Sequence, residues 1–423
     1  MRVDLAYGRH GTSVEVPDSA DVILPVDEVA LDDEEAAIRA ALRAPLAGGV
    51  PLEALVDGAV RVAVVFPDLT RPMPNRTVLP PLLDELARAG VPDAGVTLLC
   101  ATGTHRQATA AEMEELIGAD LVARYRVVDH DARSDEHVAV GEVDGVAVRL
   151  QHEYVEADVR IVIGFVEPHF FAGFSGGPKA VCPGLAATET ILEAHHPRRI
   201  ADGRATFLTR HGNPVHDFVR AATGLAPPHL SLDVAINRDR RVTAVFAGPL
   251  TAAHDAACAH VGAAAQRAVP APYDVVVSTN GGHPLDRNLY QAVKGMAAAD
   301  RVRRAGGTVV MAAACTDGVP DGGAFARLLA AARTPQELVA ATAGPELDRW
   351  QAQVLGRVLA RGAVRLHSDS LGEAAIRSAQ LVPAPDLDSA VGEALAGAGA
   401  GARVAVLPEG PLTVATVRAP DDP

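Results

Sequence analysis

The sequence is poor in aromatic side chains, cysteine and basic charge, and each scarcity removes a class of function. Phe, Trp and Tyr together make up 4% of 423 residues, with a single Trp, which disfavours a surface on which successive nucleic-acid bases stack. Lys and Arg number 38 against 53 Asp and Glu, leaving a formal charge of -15 that repels a phosphate backbone. An anionic ligand must therefore be drawn in locally, by a few Arg, Lys and backbone amides. The four cysteines, Cys100, Cys182, Cys258 and Cys315, form no CxxC pair and sit in apolar stretches, as small core residues in a reducing cytoplasm do. No uninterrupted apolar run reaches the ~18 residues that cross a bilayer. The opening stretch MRVDLAYGRHGTSVEV alternates apolar and polar residues about RHG and reads as a β-hairpin rather than an export signal. The expectation is a cytoplasmic protein with no nucleic-acid or membrane partner.

What is plentiful is the alternation of short apolar runs with helical periodicity, the signature of an α/β fold. AVRVAVVFPD (59–68), GVTLLCATG (95–103) and VRIVIGFVEPH (159–169) read as buried parallel strands. RTVLPPLLDELARAG carries helical spacing, and TAAEMEELIG opens with Thr109 and Glu112 at capping-box separation. SLDVAINRDRRVTAVFAG (231–248) reads as a hairpin and is followed by an Ala-rich helix to about residue 269. Prolines 270 and 272 mark a linker. A second α/β layer then begins with YDVVVSTNGG (273–282) and includes the helix NLYQAVKGMAAADRVRR, the strand GGTVVMAAACTDG and the strand AVRLHSD. The expected architecture is two α/β domains with mostly parallel sheets and a cofactor cleft between them. Their expected limits are 1–269 for an N-terminal cofactor-binding and catalytic domain and 273–396 for a C-terminal domain, with 397–423 packing back on the first.

Open α/β sheets bind ligands where their strands end, and three strand-end loops carry reactive residues: DLTRP, ATGTHR and EPHFFAGFSGGPK. In the last, Ser175, Gly176 and Gly177 precede Lys179 and offer a hydroxyl and close backbone approach to a phosphate. Pro178 before the lysine and Ala180 after it exclude a P-loop. Lys179 reads either as a positioned amine able to make a covalent link or as a surface lysine in a glycine turn. His105 and His169 close neighbouring strand ends, where a pair of imidazoles can serve as acid and base. His195 and His196 stand on a helix-like segment with no HExxH, CxxC or acidic cluster, so a metal there needs a cofactor to bring most of its ligands. Asp68 and Arg71 can grip a ribose hydroxyl and a phosphate or carboxylate, or pair with each other. Gln291 and Lys294 share a helical face beside Tyr290. Trp350 reads as packing.

Taken in order, DLTRP, ATGTHR, PHFFAGFSGGPK, the histidine sixteen residues after the lysine, and NGGHPLDRNLYQAVKGM resemble the nickel-dependent lactate racemase family. The resemblance implies a racemase or epimerase of 2-hydroxy acids, an isomerase that works by reversible hydride transfer from C2 through a 2-keto acid. It implies a nickel-pincer nucleotide (pyridinium-3,5-bisthiocarboxylic acid mononucleotide nickel) attached covalently to Lys179, with His195 as the protein's nickel ligand and His196 only a neighbour. By the same resemblance His105 and His169 are the catalytic acid/base pair, and Asp68, Arg71, Ser175, Gly176 and Gly177 hold the cofactor. Tyr290, Gln291, Lys294 and Arg71 are placed around the substrate. Cofactor-making enzymes are the implied partners. His283 and Arg287 are where a departure from the lactate-specific pattern is expected, so a larger hydroxy acid such as a sugar acid, or a non-catalytic carrier of the nucleotide, stand as alternatives.

Overall fold

The structure is a computed structural model describing residues 1–418, in which the chain forms two compact units. The first comprises Asp27–Glu167 and Phe171–Ala263; the second comprises Met1–Val26, Pro168–Phe170 and the chain from Ala264 onward.

The first unit is built on a six-stranded sheet in the order 242–248, 230–236, 159–165, 62–67, 96–101, 126–129. Only the Val242–Gly248 edge strand runs antiparallel, closing a hairpin with Leu230–Ile236. Parallel strands need crossovers, and those crossovers cover both faces, so the central strands read as unbroken apolar runs. Val62 to Phe66 are all at most 1% exposed. Helix Asn75–Arg88 covers part of this sheet with Val78, Leu79, Leu82, Leu83 and Leu86. It stays helical through Pro80 and Pro81. A proline inside a helix costs about 3 kcal/mol, whereas burying each of those five side chains gains about 1.5–3 kcal/mol, so burial wins. The Thr109/Glu112 capping box is present in full at the start of helix Ala110–Ile117.

The second unit has its own six-stranded sheet, in the order 382–383, 364–367, 303–312, 273–279, 404–407, 21–22, parallel throughout. Its core joins Val275, Val277, Val310 and Val406 to Val3, Leu5 and Val14 of the N-terminal hairpin, which pairs Arg2–Leu5 with Thr12–Glu15. One sequence expectation is corrected here. Residues 1–26 belong with the C-terminal chain and not with the 27–263 unit. The tail does pair with residues of the expected 1–269 span, but with those that fall in the second unit: Val404–Leu407 lies between Tyr273–Thr279 and Asp21–Val22, and Val414–Val417 pairs with Gln266–Val269. Residues 419–423 lie outside the described chain. The cause is hydrogen-bonding demand: a parallel strand at 273–279 needs a partner on each side, and a fully buried strand such as 404–407 supplies one. Apolarity alone does not say which sheet it will complete.

Helix Leu289–Asp300 lies so close to its neighbouring strand that a Cβ on Gly295 would stand 2.1 Å from the Thr279 carbonyl oxygen. Gly295→Ala is expected to cost the protein at least about 1–3 kcal/mol through overpacking, read as a lower midpoint in chemical denaturation. An unchanged midpoint would show that helix and strand separate freely at this point.

Candidate functional site

In the first unit the loops after strands 62–67, 96–101 and 159–165 lie at adjacent strand ends, because those strands are neighbours in the sheet. The clearest geometry joins the first two. Asp68 is buried, and its Oδ2 stands 2.8 Å from His105 Nδ1 while its Oδ1 accepts from the Thr70 hydroxyl at 2.8 Å. Burial works to raise the pKa of this carboxyl, but His105, Thr70 and Arg71 outweigh it and hold the group below the usual carboxylate range. Asp68 is thus ionised and accepts from Nδ1–H, which leaves His105 Nε2 as the ring nitrogen able to take a proton. Asp68 was expected on the cofactor's ribose. In the structure each of its oxygens meets a protein donor, one of them the His105 imidazole.

Arg71 forms an ion pair with Glu167, a partner the sequence reading passed over although it stands in the quoted EPH stretch. In the Ser175–Gly177 turn the hydroxyl and one amide have partners within the protein. The Ser175 hydroxyl donates to the Phe165 carbonyl at 2.9 Å and accepts from the Glu167 amide at 3.0 Å. The Gly177 amide donates to Asp233 Oδ1 at 3.0 Å. These groups fold the loop onto the sheet, leaving the hydroxyl and the Gly177 amide engaged within the protein. Gly177 has φ +48°, and a Cβ there would fall 2.4 Å from the His254 ring, so the turn closes only around glycine. His254 in turn donates from Nε2 to the Ser175 carbonyl at 2.9 Å. Burial pushes the His254 imidazole down and the Asp233 carboxyl up. Both were missed. The available signal for Asp233 was an acid inside the otherwise apolar strand LSLDVAI.

Lys179 follows on a short 3-10 turn, Gly177–Ala180. Its carbonyl accepts from the Gly184 amide at 3.1 Å, and the Gly184 carbonyl accepts from the Gly103 amide at 3.0 Å, so the lysine loop is stitched to the ATGTHR loop that carries His105. Lys179 Nζ lies 5.8 Å from the centroid of the Phe171 ring, and the His195 ring meets the same ring edge to face with centroids 5.5 Å apart. The amine and the imidazole thus both lie against Phe171. His195 ends helix Thr188–Ala194 and its Nδ1 donates to the Ile191 carbonyl at 2.9 Å, which fixes the tautomer and leaves Nε2 with the lone pair a metal requires. His196 accepts from the Arg198 amide as the cap of the next helix, as a bystander would.

The remaining candidates belong to the second unit. His169 is buried, its ring centroid 4.8 Å from that of Phe170. Tyr290, Gln291 and Lys294 are buried on helix Leu289–Asp300. Trp350, read as packing from sequence, donates from Nε1 to the Tyr290 hydroxyl at 2.6 Å, and Gln351 Nε2 donates to the Tyr290 carbonyl at 2.6 Å. The lone tryptophan thus fixes a candidate substrate residue. The Gln291 Oε1 is buried with no protein donor. Arg287 is tied to Asp317 at 2.6 Å. All four cysteines are buried free thiols, and among the described residues no helix is long and apolar enough to cross a membrane.

These features define an α/β protein that gathers a carboxylate-backed imidazole, a lysine loop and a tautomer-fixed histidine at the ends of parallel strands. Residues 7–206 match the family described as lactate racemase N-terminal domain, and residues 268–415 match lactate racemase C-terminal domain. The chain belongs to the lactate racemase family. It is 35% identical over 385 residues to the lactate racemase of Thermoanaerobacterium thermosaccharolyticum, covering 89% of each chain. To that of Lactiplantibacillus plantarum it is 34% identical, covering 97% of this chain and 98% of the other. The solved lactate racemase apoprotein of T. thermosaccharolyticum superposes with a TM-score of 0.90 at 32% identity, over 99% of this chain and 100% of that one. A Thermotoga maritima protein shares the fold, with a TM-score of 0.69 at 18% identity, over 92% of this chain and 100% of that one.

Because Asp68 has a folded-state pKa below its unfolded value, its stabilising effect is present above about pH 4 and is lost as pH falls through the folded value. Asp68→Asn is expected to lower stability at neutral pH by about 1–3 kcal/mol and to flatten the acid limb of the pH–stability curve. A variant curve that parallels the wild type between about pH 2 and 5 would contradict the dyad.

Proposed function

We propose that this chain is a racemase of a 2-hydroxy acid, with lactate, the substrate in the names of its curated relatives, as the first candidate. The observation that carries the proposal is the hydrogen bond between Asp68 and His105: a buried, ionised carboxylate orients an imidazole so that Nε2 can exchange a proton with a substrate hydroxyl. His105 takes that proton as base and returns it as acid, and His169 does the same for the other enantiomer. A single residue has one approach direction, so two imidazoles serve the two hands of the substrate.

The donor set fits a nickel-pincer nucleotide. His195, with Nδ1–H held by the Ile191 carbonyl, keeps Nε2 for the metal, and Lys179 offers an amine for a covalent tether. When bound, that cofactor supplies a hydride acceptor for substrate C2, so that the substrate passes through a planar 2-keto acid. The chain's own residues bind and orient. Phe171 packs against both the amine and the imidazole, and the Gly103–Gly184 hydrogen bond keeps the lysine loop beside the His105 loop. Tyr290, Gln291 and Lys294 are assigned to the substrate carboxylate and its surroundings; the buried Gln291 Oε1, with no protein donor, supports a polar ligand there.

Co-expression with cofactor-making enzymes, followed by intact-mass analysis and a chiral lactate assay, tests both parts. The wild-type chain is expected to carry added mass, Lys179→Ala to show the bare chain, and His105→Ala and His169→Ala to keep the adduct while losing about 10²–10⁴-fold in kcat. An adduct that persists in Lys179→Ala, or turnover that survives both histidine changes, overturns the corresponding role.

A further inference from the structure

A second histidine cluster lies in the first unit, outside the residues discussed above. His130 follows the edge strand Arg126–Asp129, while His137 and Gln151 are direct cross-strand partners at the open end of the hairpin His137–Val143/Val146–Gln151. Cross-strand partners project from the same face of a hairpin. The His130 and His137 rings meet edge to face with centroids 5.2 Å apart. All three side chains are more than nine-tenths buried.

The unpartnered polar atoms of this cluster are all acceptors. His130 Nε2 donates to the Ala186 carbonyl at 3.0 Å and His137 Nδ1 donates to the Ser134 carbonyl at 2.9 Å, since a carbonyl can only accept. The second nitrogen of each ring is therefore a lone pair. Gln151 Nε2 donates to the Glu153 carboxylate, which fixes the amide orientation and leaves Oε1 facing the other way. His130 Nδ1, His137 Nε2 and Gln151 Oε1 are buried, and none has a hydrogen-bond partner in the protein. Burial pushes the His130 imidazole down to about 4, and both His137 and Gln151 act on it, which puts the three groups side by side. Buried acceptors without a donor cost about 1–3 kcal/mol each, so something positive or hydrogen-donating must be shared among them.

We infer that His130, His137 and Gln151 form a binding site for a divalent cation of the zinc or nickel class, separate from His195. Two imidazoles with the far N–H held by a backbone carbonyl are the arrangement that prepares histidine as a metal ligand, and nitrogen donors select borderline metals over calcium or magnesium. Glu136, His152 and Glu153 cluster at the surface beside Gln151 and supply negative charge at the approach. That outer trio is a poorer site, because Glu153 is already bound to Arg126, His152 and Gln151. The cation would pin the hairpin to residues 185–186, with Gln151 donating its amide to the Leu185 carbonyl, directly after the lysine loop.

The test is equilibrium dialysis of the chelator-treated full chain against zinc chloride, with bound metal counted by mass spectrometry, in the His195→Ala background so that the other histidine does not contribute. One zinc per chain is expected, with affinity falling at least about tenfold in His130→Ala and in His137→Ala and unchanged in the Glu136→Gln/His152→Ala double variant. X-ray absorption at the zinc edge on His195→Ala alone should show two imidazoles, a readout that does not depend on the histidine variants folding. Failure to retain zinc, the result expected of a buried water, overturns the site. So does retention that only the double variant abolishes, or a metal shell of oxygen alone.

Discussion

Everything chemical in the first unit depends on a sheet whose central strands are parallel and covered on both faces. Such a sheet has no solvated face on which to mount reactive groups, so they stand at the ends of the strands, where the backbone turns into the crossovers. Adjacency of strands 159–165, 62–67 and 96–101 brings Lys179, Asp68 and His105 to one edge although more than a hundred residues separate the first from the second. The Asp68–His105 hydrogen bond and the Gly103–Gly184 bond are the local consequences of that order.

Around this edge, polar groups are satisfied in layers. Ser175 and Gly177 hold the loop down, Asp233 holds the Gly177 amide, His254 holds the Ser175 carbonyl, and the lysine beyond them is half-buried. This explains why a loop rich in glycine need not be loose. Its glycines permit the backbone to pass within van der Waals distance of Val166 and His254, and the hydrogen bonds then remove the freedom that glycine would otherwise confer. Burial also sets protonation: Asp68 stays charged because donors surround it, whereas His254 and His130 are driven towards neutrality where charge finds too little compensation.

The strands of the first unit, the Thr109 capping box and the 231–248 hairpin were legible because each is written in local periodicity. So was the set of loops that carries the chemistry, since strand-end residues follow from the strand positions. What was not legible was partnership. Asp68 read equally well as a ribose ligand, Ser175 and Gly177 as a phosphate cradle, and Trp350 as packing; each role turned on which residue from a distant segment stood opposite. The sheet that the tail completes was not legible for the same reason, as the apolar run at 404–407 has no local feature that names Tyr273–Thr279 as its neighbour.

The sequence by itself determined the α/β class, the strand-end positions of the histidines and lysine, and the family, because periodicity and motif order are properties of contiguous residues. Only the tertiary structure decided that Asp68 pairs with His105, that the Nδ1 of His195 is taken by the Ile191 carbonyl, and that residues 130, 137 and 151 bury acceptors without a protein donor. Hydrogen bonds and burial depend on separation in space, and a linear pattern fixes that separation only within a turn or two of the chain.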